Sequence, residues 1–312
     1  MNGRLTPKRL AFISIIFALL LAAALFAGCT QSTTSTTPAT TAATNAPATP
    51  DTTYVATTAA TAAPTSTPAA VYTASSGNII AYTAASLTGA SKTIGPAFTA
   101  AYPGHKVVFN LDGTQALTTQ VENGAYSDVF ISASPKYTKK LTNDGFFVNS
   151  SVKTLCYNYV IVILPASNPA SIQSLSDLSK PGVKIAMAAD TVPVGIATNA
   201  AIANLANSTY GQDWKTATMA NVVSYETSEP SVATKVSLGE VDAGFVYEST
   251  AAAAASGTYQ TISIPKKDNY LQTYSIAILK EGTNKAVAQE FEQFMLSSAG
   301  QDILKQYGFR TP

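Results

Sequence analysis

The chain has 312 residues, with 19 lysines and arginines against 18 aspartates and glutamates, one histidine and two cysteines. That balance leaves no basic footprint for nucleic acid. It also leaves too few soft ligands for a zinc or redox-metal site, and no disulfide framework.

Residues 1–29 read as a secretory signal. Arg4, Lys8 and Arg9 supply a positive start, Leu10 to Ala27 is apolar and uncharged, and Ala27-Gly28-Cys29 closes the segment with small residues. The close resembles a lipobox, with Phe26 where leucine is usual and Leu25 one position early. That resemblance implies cleavage and lipidation at Cys29. The other reading is an uncleaved apolar helix, since about 18 such residues just span a bilayer. Either leaves the remainder exported and held at a membrane. Residues 30–76 are rich in Thr, Ala, Pro and Ser, with Asp51 as the one charge. Such a stretch cannot bury enough surface to fold and is expected to be an extended linker.

The body, 77–312, carries 16 basic and 17 acidic side chains, a net charge of −1. Strand and helix signals alternate along it. Ile79-Ile80-Ala81-Tyr82 reads as a strand, and Leu87, Ala90, Ile94 and Phe98 then recur at helical spacing. Gly95-Pro96 lies inside that helix and is expected to break it into two, because a mid-helix proline costs about 3 kcal/mol. KVVFNL (106–111) is a strand, 116–123 a short helix, DVFISA (128–133) a strand and 135–143 a helix. YVIVIL (159–164) is a continuous apolar run, as in a buried strand, and holds Cys156 nearby as an expected core thiol. Strands follow at 183–189, 221–225, 243–247, 261–264 and 273–279, then an amphipathic helical end over 285–304. This alternation predicts an α/β fold with largely parallel sheets. Ligands of such sheets bind beyond the carboxyl ends of the strands.

The strand-to-helix junctions are the candidate sites. Ser86 follows the first strand and stands at an N-cap position, where its ordinary role is to cap its own helix. Leu111-Asp112-Gly113-Thr114-Gln115 and Asp190-Thr191-Val192-Pro193-Val194-Gly195 have the same character. Pro193 suits a first helical turn and leaves the amides of Val194 and Gly195 facing outward. Helix N-termini of this kind take anions without a formal charge. His105, in the turn Tyr102-Pro103-Gly104-His105, is expected on the surface. Arg310 is the one arginine of the body, so no arginine fork for a carboxylate is expected.

Read in order, AASLTGA, FNLDGTQALTTQVENGAYSDVFISAS, DTVPVGIATNAA, GEVDAGFVYES and DILKQYGF cover essentially the whole body. In this combination the chain resembles the periplasmic molybdate-binding proteins of ABC transporters. The resemblance implies a two-lobed periplasmic-binding-protein type II fold, each lobe a mostly parallel sheet flanked by helices, with a two-crossing hinge. The lobes are expected over 77–160 with 249–312, and over 161–248. The resemblance implies no enzyme and no cofactor, but a monomeric binder of molybdate or tungstate. It would be tethered through a lipid anchor to the outer face of the cytoplasmic membrane and would deliver to a membrane permease. No nucleic acid is involved, and no metal is ligated directly, since the metal arrives as its oxyanion. Carried over residue by residue, the ligand-binding set is Ser86, Thr114, Val194, Glu229 and Tyr247. Ser86, Thr114 and Tyr247 bring hydroxyls, and Val194 and Glu229 bring backbone amides.

Thr114 departs from the family's serine by one methyl. Glu229 departs further, because a carboxylate beside a dianion repels it. Three readings of it stand open: its side chain faces solvent, Ser228 takes its place, or its carboxylate reaches the metal as in archaeal relatives. Two other functions also stand open. One is a binder of phosphate, sulfate or a small organic anion; the other is a stalked cell-surface structural protein.

Overall fold

The computed structural model describes residues 77–312. Cys29, the signal-like segment 1–29 and the 30–76 linker lie outside the described residues. The first elements are β1 (Asn78–Ala84), a 3-10 turn (Ala85–Leu87), α1 (Thr88–Ala101), β2 (Lys106–Asp112), α2 (Thr114–Glu122), β3 (Val129–Ser132) and α3 (Pro135–Asn143). Then come β4 (Lys153–Pro165), β5 (Ile185–Ala188), α4 (Pro193–Leu205), α5 (Gly211–Ala220), β6 (Val222–Glu226) and α6 (Glu229–Ser237). The chain closes with β7 (Ala243–Tyr247), α7 (Glu248–Ala253), β8 (Tyr259–Ser263), β9 (Leu271–Ile278), α8 (Lys285–Leu296) and α9 (Ser298–Gln306).

The strands follow the order β2-β1-β3-β9-β4-β7-β5-β6, with β8 beside β4. One half holds the parallel set β2-β1-β3 and the other the parallel set β6-β5-β7. Every antiparallel pairing between strands of the described residues involves β4 or β9, the strands that join the halves. The sheets are therefore parallel within each half and antiparallel where the chain crosses. β4 makes the passage in one long strand. Its residues 153–159 pair with β9, and 160–165 pair with β7 and β8. The apolar run Val160–Leu164 is at most 5% exposed, because α4, α6 and α7 pack against the strand. After β7 the chain packs α7 against α1 and the 3-10 turn, returns to β4 through β8, and crosses finally into β9.

Three local expectations change. Helix α1 runs unbroken through Pro96. Ile94 and Phe98 on either side of Pro96 are fully buried, so core packing holds both turns on one axis despite the missing backbone bond. The C-terminal amphipathic stretch is two helices rather than one, because Ser297 turns to extended backbone (φ −72°, ψ 165°) and caps α9. His105 is half-buried rather than on the open surface, with Nδ1 2.6 Å from Glu290 on α8. Cys156 is fully buried, and burial pushes its thiol pKa well up. Among the described residues no helix is long and apolar enough to cross a membrane, and no cluster of His, Cys, Asp and Glu is arranged to hold a metal ion.

Candidate ligand-binding site

The carboxyl ends of the parallel strands of both halves converge on one small cavity of about 20 Å³. Its wall is made of junctions: Ala84-Ala85-Ser86 after β1, Gly113-Thr114 after β2, Ala133 after β3, Val192-Pro193-Val194 after β5, Glu229 after β6 and Tyr247 ending β7. All five residues of the expected set border it, drawn from positions up to 161 residues apart in sequence. Among the described residues, no lysine, arginine or histidine does.

Ser86 is not the helix cap that its sequence position predicts. It lies within the 3-10 turn, Leu87 is the residue before α1, and no side chain caps that helix. Its hydroxyl instead hydrogen-bonds the phenol of Tyr274 at 2.8 Å. The tight turn rotates Ser86 off the helix end and toward the cavity, while Leu87 and Ala85 anchor the turn in the core. Thr114, 1% exposed, begins α2, and its Oγ1 accepts the Ala133 N–H at 3.1 Å. That bond ties the β2 and β3 junctions together and aims the hydroxyl proton away from Ala133.

Pro193 is the first residue of α4, as its fixed φ favours. The first intrahelical bond runs from Ile196 N–H to Val192 C=O at 3.0 Å. The amides of Val194 and Gly195 therefore have no acceptor in the helix. Gly195 is required here, since a Cβ would collide with the carbonyl oxygens of Ala188 and Ala189 at the end of β5. Close backbone approach sets the angle at which α4 meets the cavity.

Glu229 is the first residue of α6 and Pro230 the second. The solvent-facing reading of Glu229 is overturned. Its side chain is only 4% exposed, because it folds back over the end of β7. Oε1 accepts the Tyr247 N–H at 2.7 Å and the Thr250 hydroxyl at 2.6 Å. Oε2 is buried and has no partner. Burial pushes the carboxyl up to about 7, against the lowering effect of the two bonds at Oε1. The neighbouring Ser228 spends its hydroxyl on Ser231 Oγ at 2.8 Å.

Tyr247 is 1% exposed, and its hydroxyl, also buried, has no partner. Its ring packs edge-on against Tyr274, centroids 6.0 Å apart. Burial, then the neighbouring Tyr274 and Glu229, raise the Tyr247 phenol pKa well above its ordinary value, so it remains a proton donor. Tyr274 is the residue that sequence reading missed. It supports both Ser86 and Tyr247, yet in TYSIAIL it reads only as a strand residue. The strand's period of two would have put it on the same face as Ile276 and Ile278, whose side chains are buried.

The wall thus offers hydroxyls, helix N-terminal amides and one acidic group, without a cation. This suits a small anion held by neutral donors. Comparison with known proteins agrees. A family model described as bacterial extracellular solute-binding protein matches residues 79–310. The molybdate-binding protein ModA of Mycobacterium tuberculosis is 32% identical over 240 residues, covering 77% of this chain and 87% of that protein. Among solved structures, the Azotobacter vinelandii periplasmic molybdate-binding protein superposes with a TM-score of 0.65 at 25% identity, over 75% of this chain and 99% of that one. The substrate-binding domain of a putative molybdenum ABC transporter from Clostridium difficile does so with a TM-score of 0.59 at 27% identity, over 75% and 99%.

Proposed function

The chain belongs to the bacterial extracellular solute-binding protein family, and from that membership we propose that it is the extracytoplasmic binding component of a molybdate or tungstate ABC importer. The observation that carries this reading is the convergence of neutral donors from both halves of the fold on one cavity with no cation in its wall. Ser86, Thr114 and Tyr247 bind the tetrahedral oxyanion through hydroxyls, and Val194 and Glu229 through backbone amides. Each hydrogen bond to a charged group contributes roughly 1.5–3 kcal/mol. Several together offset dehydration and the loss of freedom on association. Ser86 and Thr114 come from one half, and Val194, Glu229 and Tyr247 from the other. Only a closed cleft satisfies all of them, so the anion shifts the population toward closure. The membrane permease then reads the closed form.

The remaining features extend the same reading. Cys29 carries the lipid that tethers the protein to the outer face of the cytoplasmic membrane, and residues 30–76 give the monomeric body reach. The lobes are 77–160 with 249–312, and 161–248, with β8 as the segment of the first span that pairs back onto the second. The relatives are molybdate-binding proteins and the substrate-binding domain of a putative molybdenum ABC transporter, in keeping with a binder that carries out no catalytic step.

Calorimetric titration with molybdate, tungstate, sulfate and phosphate tests the proposal. Tight one-to-one binding of the first two is the expected result, with sulfate bound far more weakly because its shorter bonds cannot reach every donor of a cavity fitted to the larger anions. Absence of binding by all four would leave the stalked structural protein as the better reading.

A further inference from the structure

One polar group in the cavity wall does not fit a simple dianion site. Glu229 brings a carboxyl group to a wall otherwise made of donors. Its position is not adventitious, because Oε1 is locked by the Tyr247 amide and the Thr250 hydroxyl. That leaves Oε2 as a buried oxygen with no partner, in a residue that lines the cavity. An ionised carboxylate there is a buried charge without a counter-ion, and a bound dianion would repel it further.

Resting on the anion-binding reading above, we propose that Glu229 is a ligand group that enters the complex as a carboxylic acid. Its Oε2–H donates to one oxygen of the bound anion, and a fully deprotonated anion is taken up together with one proton from solvent. The proton balance fixes the chemical class. The filled site holds a tetrahedral anion plus one proton, shared between Glu229 Oε2 and an anion oxygen. A dianion such as molybdate draws that proton from the medium. An anion that carries its own proton, such as hydrogen phosphate, supplies it, and Glu229 then stays ionised and accepts.

The surroundings of Glu229 contain nothing that would replace this proton. The titratable groups facing it are the phenols of Tyr247 on β7 and Tyr274 on β9, both raised well up by burial and therefore neutral. β5 and the 3-10 turn before α1 carry no titratable side chain. On β6, Glu226 is paired with Lys235. On α7, Glu248 is paired with Arg310. On β4, Cys156 is a fully buried neutral thiol. The carboxyl itself is pushed up to about 7 by burial before any anion arrives, and a bound dianion raises it further.

The experiment is proton-linked calorimetry on the full protein with sodium molybdate, in buffers of different ionisation heat, from about pH 6 to about pH 8.5. In wild type, uptake is expected to approach one proton per molybdate on the alkaline side, with affinity weakening about tenfold per pH unit above about pH 7. Glu229→Gln keeps the shape and offers a permanent N–H donor. It is expected to bind molybdate with no proton uptake and a flat pH profile. Inorganic phosphate, as small as sulfate and so a weak ligand, is the second probe, and the hydrogen phosphate that binds wild type on the alkaline side is expected to do so without net proton uptake. Flat, proton-free molybdate binding in wild type overturns the proposal, as does an unchanged slope in Glu229→Gln. A six-coordinate metal at the molybdenum absorption edge also overturns it, since the carboxylate would then be a metal ligand. Failure of molybdate to bind at any pH removes the anion-binding reading and this inference with it; tight but pH-independent binding removes this inference alone.

Discussion

At Glu229 the carboxyl is pulled two ways, upward by burial and downward by the Tyr247 amide and Thr250 hydroxyl, and burial prevails. The sign of the stability effect follows. Between the ordinary value of 4.5 and about 7 the folded protein binds a proton that the unfolded chain has released. Folding stability contributed by this residue is therefore lost as pH rises through that window, by about 3 kcal/mol in all. Denaturant unfolding at about pH 5 and about pH 8 checks it. Glu229→Gln should match wild type at the lower pH and be the more stable by up to about 3 kcal/mol at the higher. A difference that does not move with pH would contradict the assignment. Tyr247 gives a second residue-scale prediction. Tyr247→Phe removes one donor and nothing else from the wall, so molybdate affinity should fall about 10- to 100-fold by calorimetry while the melting temperature barely moves. Ser86 and Thr114 were legible as residues of this cavity because junction chemistry and the family resemblance agree at them, and Tyr247 from the resemblance alone. The fate of Glu229's side chain was not, because it depends on Tyr247 and Thr250, 18 and 21 residues away.

Two elements show how packing overrides local preference. Pro96 is exposed, yet α1 continues through it between buried Ile94 and Phe98. Pro96→Ala restores one backbone hydrogen bond without removing a core contact. It should stabilise the protein by about 1–2 kcal/mol, the helix penalty of proline less the entropy it withdraws from the unfolded chain. Urea unfolding measures this, and a destabilised variant would show that the proline relieves strain instead. At α4 the constraint runs the other way. Gly195→Ala drives a methyl into the carbonyls that end β5. A loss of about 1–3 kcal/mol is expected, together with weakened molybdate binding as the Val194 amide is displaced. Undiminished affinity would mean that the α4 N-terminus does not contact the ligand. The periodic apolar pattern located α1 and Pro193 marked the start of α4, but the unbroken α1 and the tight seat of Gly195 are properties of what each packs against.

Across the whole molecule, two hydrogen bonds join the halves beside the cavity. Gln115 Nε2 on α2 donates to Thr227 C=O before α6 at 2.8 Å. The Tyr137 hydroxyl on α3 donates to Thr191 C=O before α4 at 2.5 Å. These side chains come from one half and the carbonyls from the other. Removing both, as Gln115→Ala with Tyr137→Phe, should favour the open form of the free protein. The radius of gyration by X-ray scattering is then expected to be larger without molybdate and to shrink to the wild-type value with it. An unchanged free protein would show that closure depends on the joining strands alone.

What the sequence by itself determined is the α/β class, the order of the elements, and the junctions whose turn chemistry leaves amides and hydroxyls free. These follow from short-range rules: side-chain periodicity, the fixed φ of proline and the capping preferences of small polar residues. Only the tertiary structure decided that Ser86 bonds Tyr274 instead of capping α1, that Glu229 is buried with one oxygen unpartnered, and that Tyr274 stands behind the site. Ser86 meets Tyr274 because β9 returns to the first half, and Glu229 meets Tyr247 and Thr250 because α6 packs against β7. No local pattern encodes such contacts, and desolvation where they meet raises the Glu229 carboxyl.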